Sequence, residues 1–131
     1  MQHRTLNQLV AAVVGAGFLL TGLAGFLVSD SFVGQEGGSL LGFQVNGLHN
    51  VVHLAIGLAL LVGARTLATA RTANLVIGAA YLLLAVAGPF LTGTEANVIA
   101  LNGADHGLHL LAGGLLLAVG AFADRRERSR V

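Results

Sequence analysis

Apolar residues fill four long blocks of the chain, and polar residues collect between the blocks or at their edges. The blocks run from about Leu9 to Val28, Gly47 to Val62, Ala73 to Leu91 and Ala104 to Phe122. A bilayer-spanning helix needs roughly 20 mostly apolar residues, and each block comes near that length. The second is the shortest, and the apolar stretch Ser39 to Val45 offers it an outward extension through Phe43. The pattern predicts an all-α membrane protein: a four-transmembrane-helix bundle, one membrane domain over 1–131, with an Arg-rich tail at 123–131. Before that second block, Gly34, Gly37 and Gly38 predict an interfacial turn, with a lid over an external pocket as the sharper option.

The blocks repeat. Val13-Val14-Gly15-Ala16-Gly17-Phe18-Leu19-Leu20 aligns with Val76-Ile77-Gly78-Ala79-Ala80-Tyr81-Leu82-Leu83, and Ala24-Gly25 with Ala87-Gly88. Farther on, Asn46-Gly47-Leu48-His49-Asn50-Val51-Val52-His53-Leu54 aligns with Asn102-Gly103-Ala104-Asp105-His106-Gly107-Leu108-His109-Leu110, and Gly57 falls opposite Gly113. Two tandem two-helix repeats are therefore expected. An even number of spans per repeat keeps equivalent helices pointing the same way, so the halves should be related by a pseudo-twofold axis along the membrane normal. Recurrence of the first block inside the chain also argues that it is a retained span rather than a signal peptide, although Arg4 precedes it. Gly17, Thr21 and Gly25 predict a small-residue packing ridge on the first helix.

Composition agrees with this reading. The 131 residues are 55% hydrophobic and 10% charged, with mean hydropathy +0.81. A soluble domain carries about 25% charge, so a water-facing surface could hardly be assembled from this inventory. The basic residues are all arginine. Arg4 precedes the first block, Arg65 and Arg71 lie between the second and third, and Arg125, Arg126, Arg128 and Arg130 follow the fourth. The other two loops hold Asp30, Glu36 and Glu95 and no basic residue. By the positive-inside rule both termini and the middle loop are cytoplasmic, in a bacterial plasma membrane. The expected partner is the lipid bilayer, and no basic cluster suits nucleic acid. A homo-oligomer or a place in a membrane complex is compatible with the pattern. Without cysteine, disulfides and thiolate metal sites are excluded.

Candidate chemistry is confined to the starts of the second and fourth blocks. At 100° per residue, Asn46, His49, Asn50, His53 and Gly57 share an arc of about 100°. Asn102, Asp105, His106, His109 and Gly113 share the matching arc. Polar groups on so narrow a face should turn to the bundle interior. Asn46 and Asn102 stand where helix N-caps belong, while His53 and His109 lie roughly 10 Å deeper. Both helix starts are at the outer face, and their positive dipole ends suit a carboxylate at Asp105 and neutral imidazoles.

Three readings are open. In the first, Asn46, Asn50, Asn102 and His106 are caps and structural polar residues, and Asp105 and the other histidines fix the bundle's register. In the second, His49 and His53, with Asp105 and His109, each pair at i, i+4, bind zinc or copper; haem between His53 and His109 is the weaker variant. The third is proton handling or a substrate site open to the outer face. No catalytic residue is assigned. There is no Ser-His-Asp spacing, no nucleotide loop and no pair of membrane carboxylates, so the expectation leans away from an enzyme.

The paired motifs N-G-L-H-N-V-V-H-L-x-x-G and N-G-A-D-H-G-L-H-L-x-x-G resemble the actinobacterial membrane proteins grouped as domain of unknown function 4383. The resemblance covers about residues 5 to 122. It carries the H-N-x-x-H-L segment on His49, Asn50, His53 and Leu54, and the N-x-x-D-x-x-L-H segment on Asn102, Asp105, Leu108 and His109. What it implies is the four-span topology. The expected function is a small, non-enzymatic integral membrane protein whose outward His/Asp/Asn cluster organises the bundle or binds a cation. The alternative is a subunit of a membrane transport or redox complex, with the cluster as its ion or proton site.

Overall fold

The computed structural model describes residues 3–125, so Arg126, Arg128 and Arg130 of the expected Arg-rich tail lie outside the described residues. Within that range the protein is mostly helical: α1 (Leu6–Gly25), a hairpin of β1 (Gly38–Leu40) and β2 (Phe43–Val45), α2 (Gly47–Gly63), α3 (Leu67–Leu91) and α4 (Gly103–Phe122). Three of these four helices, α1, α3 and α4, are long and apolar enough to cross a membrane. With 17 residues, α2 is shorter; at 1.5 Å per residue it spans roughly 25 Å, against a hydrocarbon core of about 30 Å.

Local chemistry sets the helix ends. Thr5 opens α1 with a capping box: its side chain accepts from the Gln8 amide, and Gln8 reaches back to the Thr5 amide. Thr66 caps α3 through the Thr69 amide, so α3 starts well before the apolar run at about Ala73. Polar Thr69, Arg71 and Thr72 thereby join its first turns. Pro89 sits inside α3, near its end, and the helix continues to Leu91.

The helices meet along seams of residues three and four apart, the spacing of knobs-into-holes packing. On α1 the buried residues are Asn7, Ala11, Gly15, Phe18, Gly22 and Gly25. On α4 they are Asp105, His109, Gly113, Leu116 and Gly120. The closest neighbours are α1 with α2 and α3 with α4, while the backbones of α2 and α4 hardly meet. Glycines let the paired backbones approach. A Cβ at Gly57 would lie 2.8 Å from Gly15 O and 2.8 Å from Leu19 N, and one at Gly113 would lie 3.0 Å from Gly78 O and 2.8 Å from Leu82 N. Between the pairs, Ala11, Phe18, Leu60, Ala70, Tyr81 and Leu116 form the apolar core. Leu20, Leu83, Phe90 and Leu111 project outward and are exposed, as lipid-facing side chains are.

The expected packing ridge on α1 is corrected. Gly25 lies in the seam, but Gly17 and Thr21 are exposed; a Cβ at Gly17 would touch nothing within 4 Å. The Thr21 hydroxyl turns back to Gly17 O at 3.0 Å. Two small-residue stripes compete on α1, and the one through Gly15, Gly22 and Gly25 packs because it also carries Ala11 and Phe18.

The segment before α2 does not extend that helix. Residues 38–45 fold into an antiparallel hairpin, Gly38 opposite Val45 and Leu40 opposite Phe43. Its two turn residues, Leu41 (φ 53°) and Gly42 (φ 91°), both have positive φ, as a two-residue turn matching the strand twist requires. The segments flanking the hairpin are tied down: Gly34 donates to Val98 O at 3.0 Å, and Gly47 and Leu48 donate to Ser31 O and Phe32 O. These last bonds satisfy helix-start amides that otherwise have no partner.

At the opposite end, Asp124 clasps the start of α1. Its carboxylate accepts from the Leu6 amide (3.3 Å), the Asn7 amide (2.9 Å) and Asn7 Nδ2 (2.9 Å). Burial works against its charge, but the hydrogen bonds from Asn7 and Leu6 outweigh it and hold the Asp124 carboxyl below its ordinary value. Beside it, Asn74 Nδ2 donates to Asn7 O and Oδ1, joining α3 to α1.

Candidate metal centre at the starts of two helices

Two asparagines position the polar cluster. Asn46 is fully buried and caps α2, its Oδ1 accepting from the His49 amide at 2.9 Å. Its Nδ2 donates to Gly34 O and Val98 O, both at 2.9 Å, binding the α1–α2 and α3–α4 loops together. Asn102 caps α4 through the Asp105 amide (3.1 Å) and donates to Gly42 O in the hairpin turn (2.9 Å). Register then fixes the rest. His49 and Asp105 stand three residues into their helices, and His53 and His109 one turn deeper.

The structure brings three of the four expected ligands together. His49, His53 and His109 are 1%, 5% and 1% exposed, and one ring nitrogen from each lies within 4.8 Å of the others. His49 Nε2 and His53 Nε2 are 3.1 Å apart. The His49 and His109 ring centroids are 6.3 Å apart, so the stripes of α2 and α4 converge through long side chains although the two backbones do not. Asp105 is buried but belongs elsewhere: its Oδ2 accepts from the Asn102 amide at 2.9 Å, closing a capping box. It is outside the trio of converging ligand atoms.

Asn50 and His106 also turn away from the trio. Asn50 Nδ2 donates to Ser29 Oγ at 2.7 Å, and its amide fills the space above Gly25. His106 Nε2 pairs with Thr92 Oγ1 at 2.9 Å, and its ring fills the space above Gly88. Ser29 and Thr92 each donate in turn to the helix carbonyl four residues back, Gly25 O and Gly88 O.

Two aromatic residues complete the floor. Phe18 lies 5.1 Å from His53 and 5.1 Å from Tyr81, and Tyr81 meets His109 edge-on at 4.8 Å, centroid to centroid. Tyr81 stands opposite Phe18 in the alignment of the two halves, and that pairing is the sequence signal for both. A cavity of about 230 Å³ opens among the three histidines, Tyr81, Ile99 and aliphatic side chains of α2 and α3. Nδ1 of His49, His53 and His109 is buried in each case without a hydrogen-bond partner. The main chain at Ile99 and Gln44 lies beside His49, outside hydrogen-bond geometry to its Nδ1.

A trio of this kind offers three neutral nitrogen donors on the wall of a small cavity. Zinc bound by imidazoles at about 2.0–2.1 Å places its nitrogens roughly 3.4 Å apart in tetrahedral geometry. The His49–His53 separation is already near that value, and His109 has only a short distance to close.

A protein-family model described as Domain of unknown function (DUF4383) matches residues 8–122. The chain belongs to this family. The DUF4383 region runs from the first turn of α1 to the last residue of α4, so it contains the whole histidine cluster and excludes Asp124. No curated protein matches the chain, and no solved structure does.

Proposed function

We propose that this DUF4383 protein is a small, non-enzymatic four-span protein of the bacterial plasma membrane that binds a transition-metal cation, zinc or copper, at its outer face. His49, His53 and His109 are the ligands. The observation that carries this reading is the convergence of three buried imidazoles from two helices whose backbones stand apart. Burying imidazoles at the depth of His53 and His109 is unfavourable, and a cation held by the converging ring nitrogens offsets that cost. The cavity suits an ion with a water or small anion in the fourth position. At about 230 Å³ it falls below the roughly 300–1,000 Å³ of drug-sized ligand sites, which favours an ion over haem.

Arg4, Arg65, Arg71 and Arg125 stand at one end of the bundle and Asp30, Glu36 and Glu95 at the other, so the positive-inside rule puts both termini in the cytoplasm and the histidines outside. The short α2 completes a fourth span with help from the hairpin before it. Like crossings at Gly15/Gly57 and Gly78/Gly113, ring contacts at the matching pairs Phe18/His53 and Tyr81/His109, and like clasps at Asn50/Ser29 and His106/Thr92 support a tandem duplication about a pseudo-twofold axis. Beneath the cluster, Phe18, Tyr81, Leu60 and Leu116 fill the core. That plug favours a binding site with one mouth over an ion pathway, and so weighs against the transport-subunit alternative. The His49–His53 contact favours a second reading, in which the imidazoles organise the bundle by bonding one another.

Elemental analysis of the purified full chain after exposure to zinc or copper separates these readings. Near one ion per chain is expected, lost in His53→Ala and His109→Ala and kept in Asp105→Asn. No bound metal, with both histidine variants unfolding, would leave only the organising role.

A further inference from the structure

Beyond the histidine cluster, the four described arginines divide into two kinds. Arg71 Nε donates to Gly120 O at 2.7 Å, and Arg125 donates through Nε and Nη2 to Ala121 O at 3.1 and 3.0 Å. These two satisfy carbonyls at the end of α4, which otherwise have no intrahelical partner. Arg4 and Arg65 have no such employment: among the described residues neither guanidinium is hydrogen-bonded or ion-paired. Both line one polar cavity of about 540 Å³, together with His3, Thr5, Gln8 and Thr66.

We propose that this cavity binds the phosphate of an anionic phospholipid headgroup. Guanidinium groups match phosphate oxygens in planar, two-pronged geometry, and the cavity presents two of them from separate segments of the chain. Among the described residues the lining of the cavity includes no acid; Asp124, at the same end, is held by the amides of Leu6 and Asn7. The cavity stands where the apolar helices begin, at Leu6 and Leu67, which is headgroup depth for a bundle in a bilayer. A lipid also explains the neighbouring surface. An apolar groove of about 670 Å³, lined by Gly63, Ala73, Val76 and Ile77 among others, runs between α2 and α3 from the same α2–α3 turn that carries Arg65. Free phosphate has no use for such a groove, whereas an acyl chain does.

The test is lipid retention by the full chain, measured by native mass spectrometry from detergent micelles doped equally with phosphatidylglycerol and phosphatidylcholine. Selective retention of phosphatidylglycerol is expected. It should weaken about fivefold for Arg4→Gln or Arg65→Gln, from the roughly 1 kcal/mol that each basic side chain contributes at an anionic surface. Arg71→Gln, at the same end but outside the cavity, should retain lipid like the parent. Arg4→Lys and Arg65→Lys keep the charge and lose the fork, so they should fall between. Equal loss in Arg71→Gln would reduce the effect to general surface charge and overturn the proposal. So would equal retention of both lipids, or inorganic phosphate that competes the lipid off as well as phosphatidylglycerol does.

Discussion

Adding one methyl group at Gly57 should loosen the pairing of α1 with α2 and, through it, the proposed metal centre. The Cβ of Gly57→Ala would sit 2.8 Å from Gly15 O and 2.8 Å from Leu19 N, where ordinary contact begins at 3.4 Å. The shortfall is 3.4 − 2.8 = 0.6 Å, and both obstructing atoms are backbone, so no side-chain rotation relieves it. Either the helices part or α2 shifts along its axis. Overpacking of this kind costs about 1–3 kcal/mol, and alanine's better helix propensity returns at most about 1 kcal/mol of it. Gly17→Ala is the matched control, because its Cβ would meet nothing within 4 Å and only the propensity gain remains. Gly57 lies one turn below His53 and Gly113 one turn below His109, so the displacement should carry to the proposed ligands. Thermal unfolding in detergent, followed by circular dichroism, should rank Gly17→Ala at or above the parent and Gly57→Ala below it. Zinc uptake should follow the same order. If the two variants unfold at the same temperature, the close backbone crossing is not what holds the pair. If Gly113→Ala behaves unlike Gly57→Ala, the proposed equivalence of the halves fails energetically.

Three further outcomes are expected. Asn46→Ala removes a helix cap, leaves Gly34 O without its side-chain donor and takes one of two donors from Val98 O; a loss of about 2–4 kcal/mol in denaturant titration is expected, with the α1–α2 and α3–α4 loops opening to hydrogen exchange first. Asp124 is held below its ordinary carboxylate value in the folded protein, so the folded state binds fewer protons than the unfolded chain as pH falls past about 4. The stability it contributes is complete above that value and disappears as pH drops through the lowered one; Asp124→Asn should flatten this acid limb, and an unchanged limb would remove the clasp from the account. The chain has no cysteine, so Glu36→Cys in intact cells should react with an impermeant maleimide and Arg65→Cys should not, and the reverse pattern would invert the proposed topology.

The amino-acid sequence by itself determined the helical blocks, the polar positions at the starts of α2 and α4, and the caps at Asn46 and Asn102. Each of these follows from short-range chemistry: length of apolar run, a side chain within reach of an amide three residues on, and the 3.6-residue period. It could not say which face of α1 packs. Nearly every side chain on that helix is apolar or small, so lipid-facing and core-facing stripes read alike, and Gly17 looked as good as Gly15. Nor could it foresee the hairpin, because three-residue strands carry too little periodicity to stand out from an apolar helix lead-in. Only the tertiary structure sorted the four equally spaced candidates at the site. Asp105 and His109 share an i, i+4 spacing as His49 and His53 do, but the Asn102 amide lies closer to the Asp105 carboxylate than any imidazole partner does, and takes it. His109 reaches His49 across the gap between two helices whose backbones stand apart. That distance depends on how the helices rotate and tilt in the bundle, which the packing of glycines, Phe18 and Tyr81 settles and no pattern along a single helix records.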